Sequence, residues 1–301
     1  MTNFAPLDLS LLPAPDALEN LAFEAVLDAR MQDYLARWTA ARLIDPTLPA
    51  YNVDALETDP AKILQETDAY RELLVRARVN DAVLATSLAK ATGNDLILRA
   101  ADFHTVKVIG ETDDSLRRRA QLAWENLSIG GSYGGYRYAA LSAAPVELAD
   151  VAVYGAEVAG IAPGEVRIVC LGANADGVVH ADVLKRVKAA FPRAQRKVND
   201  HINVVSAIPV QYNVTATIIL RRGADAASVT AAQKFRLDAY TLSRRAIAAA
   251  ATLGGITAAL GHDDPGYVVD VQISSPTMRI GGGPFEAPVC VGSLVTWAFE
   301  T

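Results

Sequence analysis

Residues 111–154 read ETDDSLRRRAQLAWENLSIGGSYGGYRYAALSAAPVELADVAVY, and the pattern of the chain changes across them. Thr112 and Asp113 are suited to start a helix, because a side-chain oxygen can accept hydrogen bonds from the free amide groups of the first turn. Apolar residues then recur at helical spacing on one face, at Leu116, Ala120, Ala123, Trp124 and Leu127. The stretch therefore predicts a helix that joins a helical N-terminal region to a mixed α/β remainder.

The second half of this stretch predicts a turn, a short helix and a strand. Gly130 and Gly131 are placed to end the first helix, and Ser132 to cap the next, which runs over 133–141 toward Pro145. A strand with one slip of register is expected from the apolar residues Val146, Leu148, Val151 and Val153.

Two long helices are predicted before this stretch. The first starts at Asp16 and carries an apolar stripe of Phe23, Leu27, Met31, Tyr34 and Trp38. A loop with two prolines follows, and the second helix begins at Asp59 and Pro60, a favourable N-terminal pair, with Gly93 as its stop.

The second helix carries an apolar strip that has the spacing of a heptad seam. Its residues alternate in steps of four and three, with Thr67 and Asp81 as the polar members among Ile63, Tyr70, Leu74, Ala77, Leu84 and Leu88. Such a seam packs along another helix. Two interpretations remain open: a hairpin within the chain covers the strip, or helices of other chains complete it.

The remainder of the chain predicts an α+β fold. Short strands are expected within 94–109, and further strands at 166–171, 202–205, 210–220, 267–273 and 289–299. Helices are expected over 180–191, from Asp225 or Ser228 to 250, and, after a break at Gly254 and Gly255, up to 260. The predicted division is a helical arm at 1–94, a central α/β domain at 95–205 and a C-terminal α+β domain at 206–301.

Composition narrows the possible functions. Of the 301 residues, 51% are hydrophobic and 21% charged, as in globular proteins, and no apolar run is long enough to predict a signal peptide or a membrane span. Residues 1–70 contain 12 acidic and 4 basic side chains, whereas the rest of the chain is nearly neutral. An acidic arm argues against nucleic acid as the partner, because phosphate binding needs concentrated Lys and Arg.

Catalytic and metal-binding patterns are weak. Residues 130–134 match the G-x-S-x-G pattern of a serine hydrolase, but a helix and not a strand precedes Ser132, so a helix cap is the favoured interpretation. His262, Asp263 and Asp264 lie before Pro-Gly in a predicted polar turn, without companion ligands for a metal. We therefore predict no enzyme activity, no metal and no cofactor.

Isolated reactive groups have structural interpretations as well. Cys170 and Cys290 lie in separate apolar strand-like runs and are expected to be buried free thiols. Arg117, Arg118 and Arg119 spread over about 200° of a helix, so contacts with acidic neighbours or solvent are favoured over one shared phosphate. An adhesive, host-binding module is a weaker alternative, since only 7% of the residues are aromatic.

The order of these elements resembles a known family. The D-D-x-L-R-x-R helix, the turn GGSYGGY at 130–136 and the strand PVELADVAV at 145–153 together resemble the baseplate J-like proteins of contractile phage tails. The runs LLPAPDALENLAFEAVLDAR at 11–30, DPAKILQETDAYRELLVRARVNDA at 59–82 and ATGNDL at 91–96 resemble the opening of the same family in small temperate phages.

The resemblance implies a structural component of the baseplate wedge, in a phage tail or a tailocin. It implies that the N-terminal helices form a three-chain bundle with a second copy and a smaller wedge protein, and that residues from about 206 onward contact neighbouring wedges in a ring around the tail tube. Neighbouring baseplate and sheath-initiating proteins are the other implied partners. The implied location is the virion tail, with assembly in the cytoplasm of the bacterial host and a role in triggering contraction.

Overall fold

The computed structural model describes residues 7–52, 56–128, 131–193, 199–261 and 266–300. Within these ranges the chain forms two compact units. We call residues 8–99 the arm, and residue 7 together with 100–300 the body. The helices and mixed sheets described below confirm the predicted α+β class.

The arm contains two long helices, α1 at Phe23–Ile44 and α2 at Pro60–Ala85. Asp59 caps α2 as predicted: its side chain accepts a hydrogen bond from the Lys62 amide, and Pro60 occupies the first helical position, where no amide donor is needed. With 26 residues, α2 extends about 39 Å.

The predicted start of the first helix at Asp16 is wrong. Helix α1 begins seven residues later, after Ala22, which makes no side-chain cap. The segment before it is held by α2, because the Asn80 side chain accepts from the Glu19 amide at 2.7 Å and donates to the Glu19 carbonyl at 2.9 Å. The second bond uses the Glu19 carbonyl, which in a continuous helix would accept from the amide of Phe23.

The predicted end of the second helix at Gly93 is also wrong, and so are the short strands within 94–109. Helix α2 ends at Ala85, where the Thr86 hydroxyl donates to the Val83 carbonyl and the Ser87 hydroxyl accepts from the Ala89 amide. Such local bonds compete with helical ones. Gly93 instead begins helix α3, Gly93–Ala101. Leu96 and Ala100, four residues apart, share its buried face while Leu98 is exposed, a helical pattern that a short apolar run conceals.

Near its start the body contains the stretch 111–154, and the elements predicted there are confirmed in order. Helix α4 spans Asp113–Leu122, followed by a 3-10 segment at Ala123–Leu127, helix α5 at Tyr133–Ala143 and strand β1 at Leu148–Tyr154. Thr112 caps α4 through the Ser115 amide. The strand starts at Leu148, so Val146 lies outside it, and Trp124 and Leu127 are exposed instead of facing the core.

Two three-stranded sheets occur in the described part of the body. The first has the order β1-β2-β3, with β2 at Glu165–Gly172 antiparallel to β1 and β3 at His201–Ser206 parallel to β2. Helix α6, Ala181–Ala189, connects the parallel pair and starts after His180. One face of this sheet packs on α5 and α6 through Val151, Val153, Ile168 and Cys170.

The second sheet has the order β6-β4-β8. Its central strand β4, Ile208–Leu220, is antiparallel to β6, Val268–Ser275, and parallel to β8, Glu286–Phe299. Helices α7 at Ala226–Arg244 and α8 at Leu253–Gly261 cover one face. A small ladder joins β5, Ala250–Ala251, to β7, Ile280–Gly281.

Two predicted details of this region are wrong. The helix capped by Asp225 ends at Arg244 and not at residue 250, because the chain turns into a loop that supplies the Ile247 amide to the buried Asp150 carboxylate at 3.0 Å. Gly254 and Gly255 do not break a helix but lie in the first turn of α8.

A third buried cluster connects the two sheets. Ala152, Tyr154, Val169 and Leu171, on the second face of the first sheet, pack with Ala207, Ile247, Ala287 and Val289. Burial on both faces explains why β1 and β2 are nearly continuous in apolar residues. Residues 100–205 and 206–300 thus each have a sheet and a core but share this cluster, and their separation into two domains stays a prediction.

Candidate functional site: the interaction surfaces

The apolar strip of α2 lies on the surface of the chain. Ile63, Tyr70 and Leu74 are 48%, 56% and 52% exposed. Ala77 and Leu84 are half-buried. Leu88 is half-buried as well but lies three residues beyond the end of α2 at Ala85, so the strip on this helix ends at Leu84. Large apolar side chains in such a row along one helix mark a surface that suits a partner.

Helix α1 packs against the other side of α2. The small core between them consists of Val26, Leu27 and Ala69, with Phe23 and Met31 partly buried against it. Ala69 lies about 140° around the helix from Leu74, at 100° per residue. The predicted stripe of α1 therefore faces α2, but it does not reach the apolar strip.

Two aromatic residues of the α1 stripe pack against the loop that connects α1 to α2. Tyr34 makes an edge contact with Tyr51, with ring centroids 5.2 Å apart, and Trp38 stacks near Tyr34. The Trp38 indole donates to the Pro49 carbonyl at 3.1 Å, which ties the loop to α1. These two stripe residues thus have partners within the arm.

A polar network crosses the hairpin where the sequence predicted no contact. The Arg30 guanidinium of α1 donates to Gln65 at 3.3 Å, to Asp68 at 3.2 Å and to Glu72 at 3.0 Å. Glu72 also accepts from Arg76 at 2.6 Å. The hydrogen bonds from Arg76 and then Arg30 lower the pKa of the Glu72 carboxyl. The polar face of α2, which pattern alone assigns to solvent, is therefore the face that α1 occupies.

The run of arginines in α4 has acidic and backbone partners. Arg119 is buried, and its guanidinium contacts the Glu111 carboxylate and donates to the Val106 carbonyl at 2.7 Å. Arg117 pairs with Asp114 at 2.8 Å. Contact with acidic neighbours is thus confirmed for these two residues, although Arg119 lies in the interior and not on a solvated face.

Ser132 acts as a helix cap. Its hydroxyl accepts from the Gly135 amide at 3.0 Å and donates to the Glu125 carbonyl at 3.0 Å, so both of its hydrogen-bonding functions are used locally. Gly131 has a φ of 74°, which suits glycine at the turn before the cap. Gly130 lies outside the described residues.

The remaining chemical candidates do not converge. Cys170 is buried and Cys290 half-buried, and both are free thiols. His262, Asp263 and Asp264 lie outside the described residues. Among the residues that are described, no group of three His, Cys, Asp or Glu side chains is placed to hold a metal ion, and no helix has the length and apolar character to cross a bilayer.

Two apolar surfaces of the body were not predicted from the sequence. Ile109 is 99% exposed at the tip of a turn closed by a hydrogen bond from the Glu111 amide to the Val108 carbonyl at 3.0 Å. On β8, an edge strand of the second sheet in the described residues, Trp297 and Phe299 remain over two-fifths exposed, with ring centroids 5.2 Å apart. Ile109 and the pair Trp297 and Phe299 lie in short β-like runs, and the sequence pattern alone predicts that such runs are buried.

An exposed apolar strip on a long helix and exposed apolar patches on the α+β body are features of a protein that works through contacts with other proteins. Comparison with known proteins agrees. Residues 57–113 match the family described as the baseplate J-like N-terminal domain, a region that contains α2, α3 and the cap of α4. The chain is 32% identical to "Baseplate protein J" of Escherichia phage P2 in an alignment of 300 positions that covers 94% of this chain and 95% of that protein.

The chain belongs to the baseplate J-like family. The resemblance identified from the sequence is thereby confirmed. Membership makes it a structural protein of the phage tail baseplate that interacts with other baseplate components.

Proposed function

We propose that the arm is the part of this protein that binds its partners in the baseplate wedge. The strip of α2 forms a helical bundle with helices of a second copy and of a smaller wedge protein. Residues from about 206 onward contact neighbouring wedges and close a ring around the tail tube. In this role the protein takes part in baseplate assembly, which takes place in the host cytoplasm, and in the triggering of contraction.

The observation that carries this proposal is the side of α2 on which α1 packs. Helix α1 occupies the polar face with Arg30, and the apolar strip with Tyr70 and Leu74 stays in water. Burying the exposed half of a leucine-sized side chain contributes about 1 kcal/mol. Several such residues in one row supply a driving force that the hairpin itself leaves unused.

The small size of the hairpin core supports the same proposal. In the described arm, the buried cluster between α1 and α2 has three members, two of which belong to α1. Isolated helices gain most of their stability from packing of an apolar face. An arm with so little internal burial is suited to be completed by partner helices, and ring contacts through the exposed aromatic pair Trp297 and Phe299 would add a second apolar surface.

The test measures the mass of the full chain in solution by light scattering, alone and mixed with the product of the neighbouring reading frame. We expect a complex of two copies with one partner protein. Leu74→Asp should abolish it, because an aspartate in the strip would be buried unpaired.

Val75→Asp is the matched control. Val75 is adjacent to Leu74 and similarly exposed, but it points about 100° away from the strip. We expect this variant to bind the partner like the unmodified chain. Equal binding by both variants, or a chain that stays monomeric with the partner present, would overturn the proposal.

A further inference from the structure

The body contains an open pocket of about 460 Å³ whose lining includes two arginines. Arg118 comes from α4 and Arg245 from the residue that follows α7. Ala149 of β1, Ala173 of the turn after β2 and the exposed Leu242 form apolar parts of its wall. The pocket thus brings together residues that are far apart in the sequence.

Arg118 is a half-buried cation with a neutral partner. Its Nη1 donates to the Ala149 carbonyl at 2.8 Å, and its Nε is buried without a hydrogen-bond partner in the described structure. Burial is the main cause that lowers the pKa of this guanidinium, and Arg137 adds to the effect, while Asp150, Asp114 and Glu111 oppose it from a distance. Within the described chain, Arg118 forms no ion pair within 4 Å.

Arg245 has the same kind of surroundings. Its Nη2 donates to the Gly172 carbonyl at 3.1 Å and to the Asn174 carbonyl, and its Nε is likewise buried without a partner in the part of the chain that the structure describes. Backbone carbonyls hold the side chain in place but carry no charge. The contacts of this arginine therefore fix its orientation and leave its charge uncompensated.

The charges of the pocket do not balance. Its one lining carboxylate in the described residues, Asp114, is 95% exposed and already pairs with Arg117. A cation that is partly removed from water is costly unless an anion compensates it. A guanidinium fork pairs best with a planar carboxylate, through two parallel hydrogen bonds.

We propose that this pocket receives an aspartate or glutamate side chain of a partner polypeptide when the chain assembles into the baseplate. The apolar wall with Leu242 and Ala173 suits the methylene groups and neighbouring residues of a protein side chain better than a free ion. Acidic segments are available in this assembly, since residues 1–70 of each copy carry a net charge of −8. The inference rests on the proposed role in assembly and identifies a second contact of that assembly, on the body.

The first test uses the full chain labelled with ¹⁵N-arginine and follows the side-chain Nε–Hε signals by NMR during titration with a hexaglutamate peptide. The signals of Arg118 and Arg245, assigned with Arg118→Gln and Arg245→Gln, should shift together and saturate. Arg222, which is exposed and donates to the Glu300 carbonyl, is the reference signal. Arg118→Lys keeps the charge but loses the fork and should bind the peptide about tenfold more weakly.

Three results would overturn the inference. The first is the absence of any shift with the peptide. The second is an equal shift of Arg222, which would indicate general charge attraction. The third is saturation by inorganic phosphate with no response to hexaglutamate, which would indicate a site for a free anion.

The outcome is independent of the test of the α2 strip. If Leu74→Asp abolishes partner binding and the titration fails, the arm proposal stands and the pocket proposal falls. If the titration succeeds while the full chain ignores its partner, the carboxylate site stands and its role in assembly falls.

Discussion

The Arg119 guanidinium and the Glu111 carboxylate face each other at 2.8 Å inside the body, where their side chains are 4% and 0% exposed. The same carboxylate accepts from the Ser115 hydroxyl and from the Val108 amide, both at 3.0 Å. One ion pair thereby fixes the start of α4 and the turn that presents Ile109. The last arginine of the D-D-x-L-R-x-R pattern, Arg119, therefore stabilises the interior of the body.

Replacing Glu111 with Gln should destabilise the chain by about 3–5 kcal/mol, because Arg119 would remain as a buried cation without a counter-ion. Urea unfolding followed by fluorescence measures the loss. Asp114→Asn is the control: Asp114 pairs with Arg117 at the surface, and its removal should change stability by less than about 0.5 kcal/mol. Equal effects of the two variants would contradict the assignment.

Ser132→Ala should cost about 1 kcal/mol, because the Gly135 amide loses its cap. Ser132→Thr, which retains a hydroxyl that can accept from the Gly135 amide and donate to the Glu125 carbonyl, should recover most of this loss. The unmodified chain, treated with a serine-reactive fluorophosphonate, should show no stoichiometric labelling by mass spectrometry. Labelling at Ser132 would instead favour the hydrolase alternative and count against the cap as its only role.

Two glycines in helices should respond oppositely to alanine. A Cβ at Gly135 would lie 2.9 Å from the Glu125 carbonyl oxygen, so Gly135→Ala should destabilise by about 1–3 kcal/mol. A Cβ at Gly254 would meet open space, and Gly254→Ala in α8 should stabilise by up to about 1 kcal/mol, since alanine favours helix. Thermal unfolding of the two variants measures both effects. Melting temperatures that shift in the same direction would contradict the packing described at one of the two glycines.

The Cys170 thiol should be unreactive in the folded chain. Burial, with a smaller contribution from Asp150, raises its pKa to about 12. At pH 8 we expect a disulfide reagent to label Cys170 only after denaturation, with Cys170→Ala as the control for its assignment. Because the pKa of Cys170 is raised by folding, the contribution of its neutral thiol to folding stability is complete below the ordinary cysteine pKa. This contribution is lost as pH rises toward 12. Fast labelling of native Cys170 at pH 8 would contradict this.

The hairpin of the arm should weaken at low pH. The pKa of Glu72 is lowered by Arg76 and Arg30, so its contribution is present above the ordinary glutamate pKa and is lost as pH falls below that value. Hydrogen exchange of the α1 and α2 amides in the full chain should accelerate between about pH 5 and pH 3, beyond the intrinsic pH effect. Arg30→Ala should show the acceleration already at pH 7. Arg37→Ala, which removes an exposed pair with Asp33, is the control and should exchange normally.

The sequence predicted the body better than the arm. The caps at Thr112, Ser132 and Asp225 and the β-branched runs of β2 and β4 are local signals, since they depend on neighbouring residues that the sequence shows directly. The beginning of α1 depends on the distant contact between Glu19 and Asn80, which no local pattern contains. The interpretation of 96–98 as a strand failed because three apolar residues fit either period.

The sequence by itself determined the order of the main elements from α4 onward, the family and the presence of an apolar strip along α2. Heptad spacing states which residues share a face, because helical geometry is the same in every context. Only the tertiary structure decided which face α1 covers, and it is the polar one, since Arg30 reaches three partners there. Folding likewise decided that Arg118 and Arg245, 127 positions apart, line one pocket. Charge and spacing along a chain do not specify which distant groups burial brings together.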